Sequence, residues 1–427
     1  MHRIKMSGTQ LIKNLKEGSK VPLPKSLLSP ITFANIVFSI KWGRFWGGIP
    51  FEYDYSKHRL IITEKSTSFW TASVTIQTIN TAYYIGVTIF TLLNISNKLT
   101  NKSNMFDIAF GFIVTMVSAI LLMVDISFGY VNRATFCSFV NTSLDYYIYL
   151  KETYANQLGA KWRNGCEEIL LALRAVMFIM PFLLTIQYFQ HPERPIYTVS
   201  LLPPSDSLFY TFFAHIGYGI FLFLLQISSA STILGFISPT LGIIFCFMSI
   251  IEEMKAGRKV YRMKPGFRKP ENLRILVRIM QLLSTQINVI SRQVIMAEQT
   301  LITYTGTICI FSAIRFWGQL SISATSVLIL TAISAVGLWT MVITVSAHTY
   351  TNTEKALNTW RNYTNWSAFE KLQMKKFRKS VRPIQLEFGG FYYIRPKKIL
   401  TFCNTMVWLV VRCLLTISDT HNNHGIN

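Results

Sequence analysis

The sequence is short of charge, and of acidic charge above all. Only 15% of its 427 residues are Asp, Glu, Lys or Arg, against about 25% in ordinary soluble proteins. It has no HExxH, no GxSxG and no Gly-Lys-Ser/Thr phosphate loop, which removes the zinc-protease, serine-hydrolase and phosphate-loop readings. Acids inside apolar stretches are sparse (Asp107, Asp125, Glu298). None makes the close acid pair of an intramembrane aspartyl protease. No inverted repeat or pair of broken apolar segments marks a transporter. Enzyme chemistry is not expected, nor a cofactor or metal. The six cysteines (Cys137, Cys166, Cys246, Cys309, Cys403, Cys413) contain no CxxC pair. They lie mostly within or beside apolar segments, so buried thiols are expected rather than a disulfide framework. The N-terminal MHRIKMSGTQLIKNLKEGSK is basic but lacks the apolar core of a cleaved signal peptide. The first hydrophobic span is left as the targeting signal.

What is abundant is apolar surface. Hydrophobic residues make up 51% and aromatics 14% of the chain, and mean hydropathy is +0.34. A helix crosses a ~30 Å hydrocarbon core with about 20 apolar residues. Seven segments meet that length: Ser68–Leu93, Met105–Phe128, Ile169–Phe189, a double-length run from Leu208 to Ile251, Val294–Phe316, Ile322–Val345 and Ile394–Ile417. The expected fold class is an all-α membrane protein with seven transmembrane helices. The fourth and fifth segments carry surplus helix that leaves the bilayer. In the fifth, Leu276, Ile279, Met280, Leu283 and Ile287 share one stripe ahead of the span. That stripe fits a helix lying on the membrane surface or one packed in a cytoplasmic bundle. Ser367–Val381, with Phe369, Leu372, Met374 and Phe377 among lysines, offers the bundle a partner.

Charge orients the segments. The 20 acidic residues face 42 basic ones, a formal charge of +22. In a soluble protein that excess suggests nucleic acid; here it collects in alternate loops. Lys57, Arg59 and Lys65 precede the first span, Arg133, Lys151, Lys161 and Arg163 fill the second loop, and Lys255 to Arg274 and Lys355 to Arg382 fill the fourth and sixth. The intervening loops hold Lys98, Lys102 and Arg194 alone. Cationic short loops stay cytoplasmic, so the N-terminus is expected inside and the C-terminus outside, and no nucleic-acid partner is needed. Of the glycosylation sequons, those at Asn94 and Asn101 are then external, whereas Asn141, Asn362 and Asn365 are cytoplasmic. The corresponding division of the chain is 1–66 (cytoplasmic N-terminal segment), 67–252 (spans one to four), 253–293 (cytoplasmic anchor helices), 294–346 (spans five and six), 347–391 (anchor helix and connection) and 392–427 (last helix and external tail).

The stretch from Trp360 to Leu415, with its KFRKSVRPIQLEFGGFYYIRPKKILTF core, resembles the insect chemoreceptor superfamily of odorant and gustatory receptors. Elsewhere the likeness lies in helix order and loop lengths. The resemblance implies a tetrameric ligand-gated cation channel of the plasma membrane, with the last helices around the pore and cytoplasmic helices tying the subunits together. It implies homo- or hetero-tetramer partners and a small-molecule tastant or odorant, received in a pocket among the second to sixth helices that opens toward the outside. The sequence departs from the gustatory signature, in which Thr-Tyr is followed by five apolar residues and Gln-Phe. Matching Thr405 to the threonine puts Met406 at the tyrosine and Arg412 at the glutamine; counting from Gly390 puts Leu415 there instead. Odorant and gustatory types stay open.

Helical spacing places Thr405, Leu409, Arg412 and Thr416 on one stripe of the last span, the expected pore lining. Arg412 fits two roles, a water-lined path or a side chain reaching the outer headgroups. For the pocket, the outer halves of the spans bring Phe106, Phe110, Tyr188, Tyr210, Phe213, His215, Phe316 and Trp317, an apolar and aromatic set with one polar contact in His215. Each aromatic equally fits a lipid-facing or interfacial position. Two other classes remain: a metabotropic seven-helix receptor, with the opposite N-terminal side, and a non-receptor transporter or scaffold.

Overall fold

A computed structural model describes residues 27–95, 102–155, 165–201, 207–292, 295–318, 320–363, 366–388, 392–394 and 397–418. The Asn101 and Asn365 sequons, Gly389–Gly390 and Pro396 lie outside the described residues.

Ser29 opens the first helix, α1 (Pro30–Phe45): its hydroxyl accepts from the Thr32 amide at 3.1 Å, and Pro30 occupies the first turn. A hairpin of β1 (Phe51–Asp54) and β2 (Arg59–Ile62) follows, with Phe51 opposite Ile62. Then come α2 (Glu64–Ile95), α3 (Lys102–Val124), α4 (Arg133–Tyr154), α5 (Cys166–Gln190), α6 (Leu208–Met254), α7 (Pro270–Ser291), α8 (Ile295–Arg315), α9 (Ile322–Thr359), α10 (Ala368–Ser380) and α11 (Lys397–Ser418). The only other strands among the described residues are the short β3 (Glu387–Phe388) and β4 (Tyr392–Tyr393). All six cysteines are free thiols.

Among the described residues, seven helices are long and apolar enough to cross a membrane: α2, α3, α5, α6, α7, α9 and α11. Glu298, Gln299 and four threonines dilute α8, so apolarity alone prefers α7. Packing reverses that choice. Helix α8 is wedged among α3, α9 and α11, inside the bundle of long apolar helices, whereas α7 packs on α4 and α10. The crossing set is therefore α2, α3, α5, α6, α8, α9 and α11, the seven segments read from the sequence.

Helices α4, α7 and α10 gather at one end, called here the basic end for the cationic connection between α6 and α7. Its core joins α1, the hairpin, α4, the second half of α6, and α7. On α7, Leu276, Met280, Leu283 and Ile287 are buried and Ile279 is partly so, together with Leu273 and Val277. The amphipathic stripe is thus an internal face of the protomer. The partner helix is thinner than expected: α10 carries a Ser367/Glu370 capping box, but it buries only Met374, while Phe369 and Leu372 stay exposed. Its lysines dominate, and one contact row suffices to hold it.

Surplus helix falls in the fourth and sixth spans rather than the fourth and fifth. Helix α6 has 47 residues and α9 has 38, about 70 Å and 57 Å at 1.5 Å per residue. The fifth segment is instead divided into α7 and α8. Past Val345, α9 meets no Gly or Pro before Trp360, and Thr349, Thr353, Ala356 and Leu357 continue its buried face. Nothing ends it at residue 346.

Asp125 starts a turn of π-helix, Asp125–Val131, at the end of α3. Its Oδ1 accepts from Trp70 Nε1 (3.2 Å) and from the Thr232 hydroxyl (3.4 Å), linking α2, α3 and α6. Gly129 makes room for this: a Cβ there would lie 2.4 Å from the Trp70 ring. This is the structural helix-end role that its position suggests.

Candidate functional site

The far end of the bundle holds a packed aromatic cluster. Four of the eight predicted pocket residues meet in it: Phe106, Phe110, Tyr188 and Phe316, with Tyr84, Tyr197 and Leu222. The rings of Phe106 and Phe316 meet edge to face at 5.8 Å, and Tyr188 meets Tyr197 and Tyr218 at 5.0 Å each. Edge-to-face rings at this spacing are favourable packing. Half-buried His215 joins through Nδ1, 2.9 Å from the Tyr188 hydroxyl. Tyr210, Phe213 and Trp317 are not brought in; they lie on the exterior, Trp317 with 69% of its surface exposed.

A cap closes this cluster. The α5–α6 connection folds back so that Arg194, the lone cation of the predicted third loop, is buried. Its Nε lies 2.9 Å from Asp107 Oδ1 on α3, and its guanidinium sits over the rings of Phe106 (5.0 Å) and Phe110 (5.1 Å). The Tyr83 hydroxyl donates to the Pro195 carbonyl at 3.0 Å. The far-end aromatics thus form a plug with an ionic clamp.

The open space lies deeper. A cavity of about 340 Å³ sits between α3, α5, α6, α8 and α9, the second to sixth crossing helices. Its walls are apolar, with Met177, Met180 and Met341 as adaptable side chains. Five polar groups interrupt them: Gln226, Ser229, Thr305, Thr331 and Ser334. No charged residue lines it. The Thr305 hydroxyl oxygen is buried with no partner among the described residues. None of the eight aromatic and histidine positions lines this cavity. The sequence signal for it lay elsewhere, in the small and polar Gln226-Ile-Ser-Ser-Ala-Ser run mid-span and in Pro181, which removes a backbone bond to Met177 inside α5.

Helix α11 buries Phe402 and Met406 against α8 and α9, and Val410 is buried as well. Gly306 permits the approach, since a Cβ there would lie 2.9 Å from the Met406 methyl. The predicted stripe faces away from this contact: Thr405, Arg412 and Thr416 are exposed and Leu409 half-buried. Arg412 lies 5.1 Å from the ring of Trp408, itself exposed. Thr405 also lines a polar crevice of about 100 Å³ with Gln299, Thr303, Lys398 and Thr401.

No family model matches the chain, and no curated protein does. Solved structures do. The insect olfactory receptor OR5 from Machilis hrabei superposes with a TM-score of 0.57 at 11% identity, covering 89% of this chain and 96% of that one. The same receptor in complex with eugenol superposes with a TM-score of 0.60 at 12% identity, over 89% and 97%. The chain has the insect olfactory-receptor fold.

Proposed function

We propose that the chain is a chemosensory receptor subunit: a cation channel of the plasma membrane, opened by a small molecule arriving from outside. The observation that carries this is the 340 Å³ cavity, bounded by five crossing helices and lined by apolar groups with a few hydrogen-bonding ones. Pockets of that size and character take small ligands. A receptor of the same fold has been solved with eugenol bound. In this reading the basic end is cytoplasmic, with the N-terminus inside, and α11 lines a pore between four like or related subunits. The uncharged wall selects a neutral odorant or tastant over an ion or a bare sugar.

The test is ligand-evoked current in cells lacking G-protein signalling, using eugenol and a panel of neutral volatile molecules. Current is expected for at least one of them. Ser229→Phe, which fills the cavity, should raise the half-maximal concentration at least tenfold at unchanged surface expression. Responses that depend on G-protein signalling would assign the metabotropic class instead. Responses untouched by Ser229→Phe would move the site out of the cavity.

A further inference from the structure

Below the neutral cavity lies a second one of about 180 Å³, toward the basic end. The two share Ile120, Leu121, Ile233, Ile302 and Leu338 in their walls, so they abut. They differ in one respect. The second cavity is lined by a carboxylate, Glu298, and by no other charged residue. Glu298 sits in the first turn of α8, and it belongs to none of the ion pairs or hydrogen bonds among the described residues. The same cavity wall carries the rings of Phe128, Phe136, Phe139, Phe236 and Trp339.

A carboxylate in apolar surroundings is costly unless it gains a proton or a cation. Aromatic faces attract that same cation, most strongly when it is desolvated. Hydroxyls at Thr240, Ser291 and Ser346 on the cavity wall add acceptors for ammonium hydrogens. The cavity equals about six water volumes at ~30 Å³ each, enough for a small monoamine with a short alkyl or aryl tail. A longer tail extends past Ile302 and Leu338 into the neutral cavity.

We infer that this second cavity is a binding site for small protonated monoamines, with Glu298 as their counter-ion. Through it the chain distinguishes an amine from the alcohol of equal shape. The inference concerns binding and stands apart from whether the chain conducts.

The measurement is binding of hexylamine and of 1-hexanol to the purified full-length protein in detergent, by calorimetry. The wild type should bind hexylamine at least tenfold tighter than hexanol. Glu298→Gln should abolish that preference while leaving hexanol affinity within about twofold. Equal affinity for the two in the wild type overturns the inference, as does a preference that survives in Glu298→Gln. Ser346→Leu covers the case in which Glu298→Gln fails to fold. It occupies the cavity and leaves the carboxylate in place, so it should weaken hexylamine at least tenfold, and unchanged hexylamine binding there also overturns the inference.

Discussion

Arg194 shows how a single residue acquires its role only from its surroundings. On composition it is a loop cation, solvated and interchangeable. In the fold it is buried over two phenylalanines and paired with Asp107. Removing one member of a buried ion pair costs about 3–5 kcal/mol because the other charge is stranded. Asp107 keeps 35% of its side chain exposed, so Arg194→Ala is expected at the low end, roughly 3 kcal/mol. Thermal unfolding in detergent should report it. The exchange Arg194→Asp with Asp107→Arg should recover part of the loss. No drop in Arg194→Ala would mean that the cap is held by Tyr83 and the apolar contacts alone. Glu298 makes the same point in reverse: it stood out in sequence as one of three acids within apolar stretches, but the cavity beside it did not.

At the scale of elements, α7 settles a question that periodicity left open. Its inner stripe was legible because Leu276, Met280, Leu283 and Ile287 recur at helical spacing. Whether that stripe met a membrane, a neighbouring subunit or its own chain was decided by α4 and the end of α6 packing onto it. A second apolar row, Ile275, Leu282 and Val289, repeats every seven residues and is exposed, Leu282 at 67%. In the proposed tetramer this outer row is the surface that meets another subunit. Two adjacent substitutions separate the faces. Leu283→Glu buries an unpaired charge inside the protomer and should cost several kcal/mol, seen as loss of folded protein. Leu282→Glu should keep the protomer folded and dissociate the assembly on native electrophoresis. An intact oligomer with Leu282→Glu would place the interface elsewhere.

For the whole molecule, the decisive feature is which side of α11 is left uncovered. Phe402, Met406 and Val410 tie it to its own protomer, and the Thr405–Thr416 stripe is turned outward. In a ring of four, Arg412 then stands at the pore or at a subunit interface. At ~6 Å and an effective dielectric of about 20, each such charge opposes a passing cation by roughly 3 kcal/mol. Rotation of the arginines into interfaces, or assembly with subunits neutral at this position, relieves the barrier. The expected outcome for Arg412→Gln is a larger cation current, or current from the chain expressed alone. Unchanged conductance, reversal potential and ligand response would show that Arg412 only reaches the headgroups and that the pore is lined elsewhere.

The sequence by itself determined the seven crossings, because each is a long run that water rejects and lipid accepts, and helices satisfy their own backbone there. It determined the amphipathic stripe of α7 for the same local reason, and the C-terminal motif already pointed to the fold. Only the tertiary structure decided where the crossings leave space. Aromatic content marked the far end, yet large rings there pack against one another and close it. The neutral cavity formed instead where five separate helices face each other with small residues such as Ser229, Ala230, Ser334, Ala335 and Gly337 in its wall. No single segment records that meeting, since a void depends on what the opposite wall lacks.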